Sequence, residues 1–149
     1  APEGIGGIIG GRQRVGDYLA GAGADGAVRQ FLRFHCGCPL VDDPSQARFA
    51  AVPAGHAAPD LGRCHPGDPA YPDLSTTLLL EVESLAAGPA VALAGPGIQT
   101  RRTLRAAGLP AGFWNQWRAN HQIFPLGVDV FLIQGNQLCG LPRTVIAEG

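Results

Sequence analysis

Residues 124–144 restrict the fold more than any other stretch. Val128, Val130 and Leu132 alternate with Asp129, Phe131 and Ile133 in a β-rich, almost wholly apolar run. Gly135-Asn136 follows, then a returning run from Leu138 to Leu141. Two apolar runs separated by a two-residue Gly/Asn turn predict a β-hairpin. Pro125 and Pro142 stand just outside the runs, where a missing N–H costs no ladder bond. One residue breaks the pattern. Asp129 is a carboxylate in an apolar strand, and Arg143 lies beyond the end of the partner strand. An unpartnered buried carboxylate is costly, so Asp129 is expected at a sheet edge, capping a neighbouring backbone, or paired with a cation.

Upstream, Val28, Phe31, Leu32 and His35 recur at i, i+3, i+4 and i+7, predicting a helix from Asp25 to Phe34 that Gly37 and Pro39 end. Residues 47–52 read as a short strand. Residues 53–72 form a Pro/Gly/His-rich connection, long enough to suggest a functional, partner-bound or mobile segment. Residues 76–85 alternate strongly, with Leu78, Leu80 and Val82 on one face. The run 90–94 is expected as their antiparallel neighbour. A short basic helix over 100–107 and a second helix over 112–122, carrying Phe113, Trp114 and Trp117, complete the order. The aromatics suit core packing or an interface anchor. Interleaved strands and helices place the chain in the α/β or α+β class with a mixed sheet.

Length and charge exclude several functions. The 149 residues suffice for one domain, 1–149, with a real core. A net charge of -1 argues against a nucleic-acid or anionic-membrane partner. The apolar runs are too short to span a membrane, and no signal peptide is visible, so cytoplasm is the expected location. All 11 basic side chains are arginine. Without lysine there is no internal aldimine, so pyridoxal phosphate is not expected, and no other cofactor is called for. Methionine is absent too, initiator included, so the chain is read as incomplete, mostly on its N-terminal side, with omitted segments near 4–11.

Among side chains that carry chemistry, His35, Cys36, Cys38, Cys64 and His65 have the right atoms for zinc. Cys-x-Cys is not the usual knuckle spacing, so no metal is expected. Four cysteines do not form a disulfide framework, and Cys139 reads as a small core hydrophobe. His35 is expected as a packed histidine at a helix C-terminus. Gly95-Pro96-Gly97 followed by Arg101 and Arg102 suggests an anion-binding corner at a helix start, although a plain turn with exposed arginines explains it as well. No nucleophile elbow exists, His56 and His121 lack carboxylate partners in sequence, and the catalytic residues stay unknown.

Several blocks together resemble one family. Phe-Pro-Leu-Gly-Val-Asp at 124–129 and Leu-Pro-Arg-Thr at 141–144 are similar to the end of PhnH, a subunit of the bacterial carbon–phosphorus lyase system. So are Leu32-Arg33-Phe34-His35, Pro39-Leu40-Val41, Phe49-Ala50, Tyr71-Pro72-Asp73 leading into 77–82, and Gly95-Pro96-Gly97-Ile98. The blocks keep the family order from Asp25 onward. The resemblance implies a three-layer α/β/α sandwich akin to the large domain of pyridoxal-phosphate-dependent transferases, without that cofactor. It implies a homodimer that works with other carbon–phosphorus lyase subunits. Together they would join a phosphonate to the ribose C1 of ATP with loss of adenine, giving a ribose 1-phosphonate 5-triphosphate. The bond-breaking iron–sulfur cluster belongs to another subunit, and the cysteine spacing here does not suit one. Arg33, His35, Asp129 and Arg143, lying in these blocks or beside them, become candidate functional or interface positions. Two other readings remain open. One is a free-standing transferase-like enzyme using His35 with Asp129 or Arg143. The other is a nucleotide- or phosphonate-binding module built on Gly95, Gly97, Arg101 and Arg102.

Overall fold

The computed structural model describes residues 16–19, 40–41, 43–96 and 101–148. Among these residues, nine strands form two sheets: β1 (Gly16–Leu19), β2 (Leu40–Val41), β3 (Ala47–Val52), β4 (Thr77–Glu81), β5 (Ala90–Ala94), β6 (Arg102–Arg105), β7 (Asp129–Gln134), β8 (Gln137–Leu141) and β9 (Ile146–Glu148). One α-helix, α1 (Phe113–Gln122), stands among the described residues. The expected helix over 25–34, with Arg33, His35, Cys36 and Cys38, lies outside them.

The larger sheet runs β2-β1-β3-β4-β7-β8. Every pair is parallel except β7 with β8, so the sheet is mixed. Parallel strands are covered on both faces, which explains the near-continuous apolar runs of β3, β4 and β7. The predicted hairpin is present. Gln134 pairs with Gln137 across Gly135-Asn136, and Gly135 has φ +60°, the left-handed conformation such a turn needs. Alternation holds as read: Val128, Val130 and Leu132 are buried, whereas Asp129, Phe131 and Ile133 are half-buried. Cys139 is half-buried against the core.

The core lies on one side of this sheet. Leu78, Leu80, Val130, Leu132 and Leu141 meet Leu61 and Cys64 from the 53–76 connection, Phe113 and Trp117 from α1, and Leu93, Leu104 and Ala147 from the smaller sheet. In α1, Phe113, Trp117 and Asn120 recur at helical spacing and form its buried face. Trp117 stacks on Phe113 with ring centroids 6.2 Å apart, and its indole N–H donates to the Val145 carbonyl at 3.0 Å. The expected core role of these aromatics holds.

Three expectations fail. The run 90–94 does not flank the 76–85 strand. β4 has parallel neighbours on both sides, β3 and β7, while β5 joins β6 and β9 in a separate antiparallel sheet of order β6-β5-β9. The first strand also ends earlier than read, at Glu81, because the backbone then leaves the β4 ladder and pairs Ser84 with Ala107. The basic helix over 100–107 is strand β6 instead. Leu104 and Ala106 are buried while Arg102, Thr103 and Arg105 are exposed, a period of two that pairing with β5 selects over helix propensity.

Candidate functional site

The two ends of the larger sheet are built differently. At its amino end, Asp129 opens β7 beside Thr77 of β4. The sequence left its partner open; the structure supplies Arg143. The guanidinium grips the carboxylate in a fork, Nε to Oδ1 at 3.1 Å and Nη2 to Oδ2 at 2.7 Å. Nη2 also donates to Ser75 Oγ at 2.7 Å, and Nη1 to the carbonyls of Pro72 (2.8 Å) and Pro125 (3.4 Å). The Arg143 backbone N–H adds a bond to Asp129 Oδ1 at 2.7 Å. All five guanidinium N–H groups therefore have acceptors, leaving none for an incoming phosphate. The side chain is only 13% exposed. This is a clip joining three remote segments. His121 extends it, its Nδ1 lying 3.3 Å from the Arg143 carbonyl, within reach of an Nδ1–H.

The neighbouring Leu-Gly-Val motif has a physical reason as well. Asn120 of α1 accepts from Val128 N–H at 2.8 Å and donates to the Val128 carbonyl at 3.1 Å. Gly127 passes so close, at φ +128°, that a Cβ there would lie 2.9 Å from Asn120 Oδ1. Around the clip, Tyr71, Ile123 and Phe124 are exposed, and the shared contacts of Arg143 with Pro72 and Pro125 bring the flanking aromatics of these two segments into one neighbourhood.

At the carboxyl end a crevice of about 460 Å³ opens between the ends of β3 and β4, the loop after β3 and the loop before α1. Its polar lining is His56, Asp60, Glu81, Glu83 and Gln116. Glu81 accepts the Ala54 N–H at 2.9 Å, while Glu83 is exposed. In open parallel sheets ligands collect at carboxyl ends of strands, near the point where strand order reverses. Here that point lies between β1 and β3, whereas the crevice is lined from the next pair, β3 and β4. Its charged lining is acidic, which suits a cation or a hydrogen-bond donor better than a phosphate. A second groove of about 450 Å³, largely apolar, lies between 60–66 and α1. Gln116 forms the wall between them, accepting from Leu61 N–H at 2.9 Å and donating to Asp60 at 3.2 Å.

The remaining candidates scatter. Gly95 has φ +149° and packs against the Thr144 carbonyl; Gly97 is outside the described residues. Arg101 pairs with Glu148, and Arg102 opens β6. A strand therefore follows where the anion-binding corner needed a helix start. Cys64 faces the core, its thiol reaching the Asp60 carbonyl, and burial pushes it up to about 12, far from a ready thiolate. Sequence reading put Glu81 and Glu83 on a face meeting solvent or a partner and took His56 as lacking a carboxylate partner, but it did not join them with Gln116 into one crevice. The long 53–72 connection was the further signal.

Comparison with known proteins then narrows the field. The family model described as "Bacterial phosphonate metabolism protein (PhnH)" matches residues 13–148. The chain is 36% identical over 131 residues to the alpha-D-ribose 1-methylphosphonate 5-triphosphate synthase subunit PhnH of Rhizobium meliloti (strain 1021), covering 88% of this chain and 66% of that protein. It is 40% identical over 76 residues to HtxG of Stutzerimonas stutzeri, named as a candidate C-P lyase subunit protein, covering 49% of this chain and 37% of that one. The chain thus spans less than two thirds of either relative.

Proposed function

The chain belongs to the PhnH family, and from that membership we propose that it is a subunit of a phosphonate-utilising assembly. Its partners are further carbon–phosphorus lyase subunits, as the word "subunit" in both relatives' names suggests. The assembly's reaction is the transfer that makes ribose 1-phosphonate 5-triphosphate from ATP and a phosphonate, in the cytoplasm. Within it this chain docks and supports. The observation that carries this is the saturated clip. Asp129 and Arg143, the charged residues of the family-like tail, are engaged with each other and with backbone, and they brace a surface carrying exposed Tyr71 and Phe124. Aromatics held rigid on a surface suit a protein interface.

The proposal includes a homodimer and a third layer. Leu79, Phe131 and Ile133 form a half-buried apolar face opposite the core. The step from β1 to β2 crosses the sheet in the opposite direction to the steps β3–β4 and β4–β7. A parallel sheet is covered on both faces, so this half-buried apolar face supports an α/β/α sandwich like that of the pyridoxal-phosphate transferases.

Co-expression with the other subunits, followed by size-exclusion chromatography with light scattering, tests the subunit role. Co-elution in one large particle is expected. A chain that elutes alone beside an assembled remainder would sink it.

A further inference from the structure

The crevice at the carboxyl end of the larger sheet and the groove beside it meet at one partition. Asp60 and Gln116 line both, and the Gln116 amide, held by the Leu61 N–H and by Asp60, divides one from the other. The two halves differ in chemistry. On the crevice side stand Asp60, Glu81 and Glu83, with no arginine in the lining. Neither Arg101 with Glu148 nor Arg143 with Asp129, the ion pairs among the described residues, belongs to it. Both glutamates are held in place. Glu81 accepts the Ala54 N–H, and Glu83 lies against Gly108, where an added Cβ would come within 2.8 Å of its Cγ. On the other side the groove is lined by Leu61, Cys64, Pro66, Ala119, Ile123 and Val128.

An occupant has to suit both halves. Carboxylates gathered without a cation repel one another, and an arriving positive charge relieves this. A bare metal ion is a poor match, because among the described residues no three His, Cys, Asp or Glu side chains come together as ligands. A guanidinium matches better: it is planar, spreads its charge over five donors and bridges separated carboxylates. The apolar half then sets the length of the occupant. Ile123, 46% exposed, lies two helical turns from Gln116, about 10 Å along α1, which about three extended residues cover. Phe124 follows it in the chain, 51% exposed, and belongs to the aromatic surface around the clip. A small free cation would leave this apolar half bare, whereas a polypeptide covers both. We propose that crevice and groove form one docking cleft for an extended segment of a partner subunit. An arginine of that segment enters between Glu81 and Glu83, and an apolar side chain about three residues on lies along α1 against Ala119 and Ile123. This rests on the subunit role proposed above and gives it a place on the surface.

Competition for a place in the assembly tests the cleft. The other subunits are co-expressed with equal amounts of the wild-type chain and one variant. The particle is purified through a tag on another subunit, and mass spectrometry reads the ratio of the two chains. Glu83→Arg reverses a charge at an exposed position, and Ala119→Trp fills the groove from the exposed face of α1. Each is expected to be depleted about tenfold or more, and Glu83→Gln by less. Melting curves of the isolated chains check that each variant folds, and Glu83→Gln or Ala119→Leu replaces one that does not. Equal incorporation of both variants overturns the cleft while the subunit role stands. Depletion of only one of them does so too, since a single segment must engage both halves. If agmatine, a free guanidinium, raises the melting temperature of the isolated chain while both variants incorporate like wild type, the crevice takes a small cation and docking is refuted. A wild-type chain absent from the particle overturns the subunit role itself.

Discussion

The amino end of the larger sheet spends its charged side chains on itself; the carboxyl end leaves them facing an opening. At the first, Asp129 and Arg143 satisfy each other, Ser75, and the carbonyls of Pro72 and Pro125. At the second, Glu83 and His56 line a crevice and are exposed. The difference teaches that a family-like motif and an open site need not coincide. The recognisable words of the tail describe how the molecule is held together. The crevice is lined from loops that spell no motif.

Substitution should separate the two ends. The largest effect is expected from Asp129→Ala, which leaves the Arg143 guanidinium mostly buried without its counter-charge and should cost about 3 kcal/mol in urea unfolding. A loss below about 0.5 kcal/mol would break the comparison, since exposed positions lose that little. Next comes Gly127→Ala. Its methyl would strike Asn120 at a backbone conformation L-residues avoid, for about 2 kcal/mol. Asn120→Ala should cost a similar amount, because it strands both polar groups of buried Val128.

Between the two ends, Cys64 makes a pH-dependent prediction. Its thiol is raised from 9.0 to about 12 by burial. Above pH 9 the unfolded chain releases this proton and the folded chain holds it. Stability present below pH 9 should therefore fall as pH rises toward 12, by up to about 1.4 kcal/mol per unit. Melting temperatures of wild type and Cys64→Val measured across that window should differ in slope; parallel curves would show that the thiol is not buried as described. The smallest stability effect belongs to the crevice: Glu83→Gln and His56→Ala should stay within about 0.5 kcal/mol. A large loss at either would make the carboxyl end as structural as the amino end.

Much of this was legible in the chain. The hairpin could be read because a two-residue Gly-Asn turn and a period of two are local signals, and Asp129 stood out because a carboxylate in an apolar strand demands a partner. That the partner was Arg143 followed only in part, since its other acceptors, Ser75 and Pro72, lie far away in sequence. The 102–105 strand was misread because the arginines, Leu104 and the following alanines of 100–107 favour a helix in isolation, and only pairing with β5 reverses the preference. The place of β5 was misread because neighbours in sequence usually pair, whereas here the chain leaves the large sheet after Glu81 and returns at Asp129. The crevice was invisible for the same reason: it exists only once β3 and β4 stand side by side.

The clip also says something about the order in which the molecule forms. Arg143 reaches back 71 residues to Pro72 and 68 to Ser75. Contacts of such separation can close only after the segments that carry them have been placed, so the clip belongs to the last steps of folding. An interaction absent from the transition state leaves the folding rate alone and governs how fast the native chain comes apart. Cutting the clip should therefore steepen loss rather than slow arrival. In rapid-mixing kinetics, Ser75→Ala, which removes the 68-residue contact, should shift the unfolding limb upward while the refolding limb stays in place, and the saturated arginine becomes a latch that sets the lifetime of the fold.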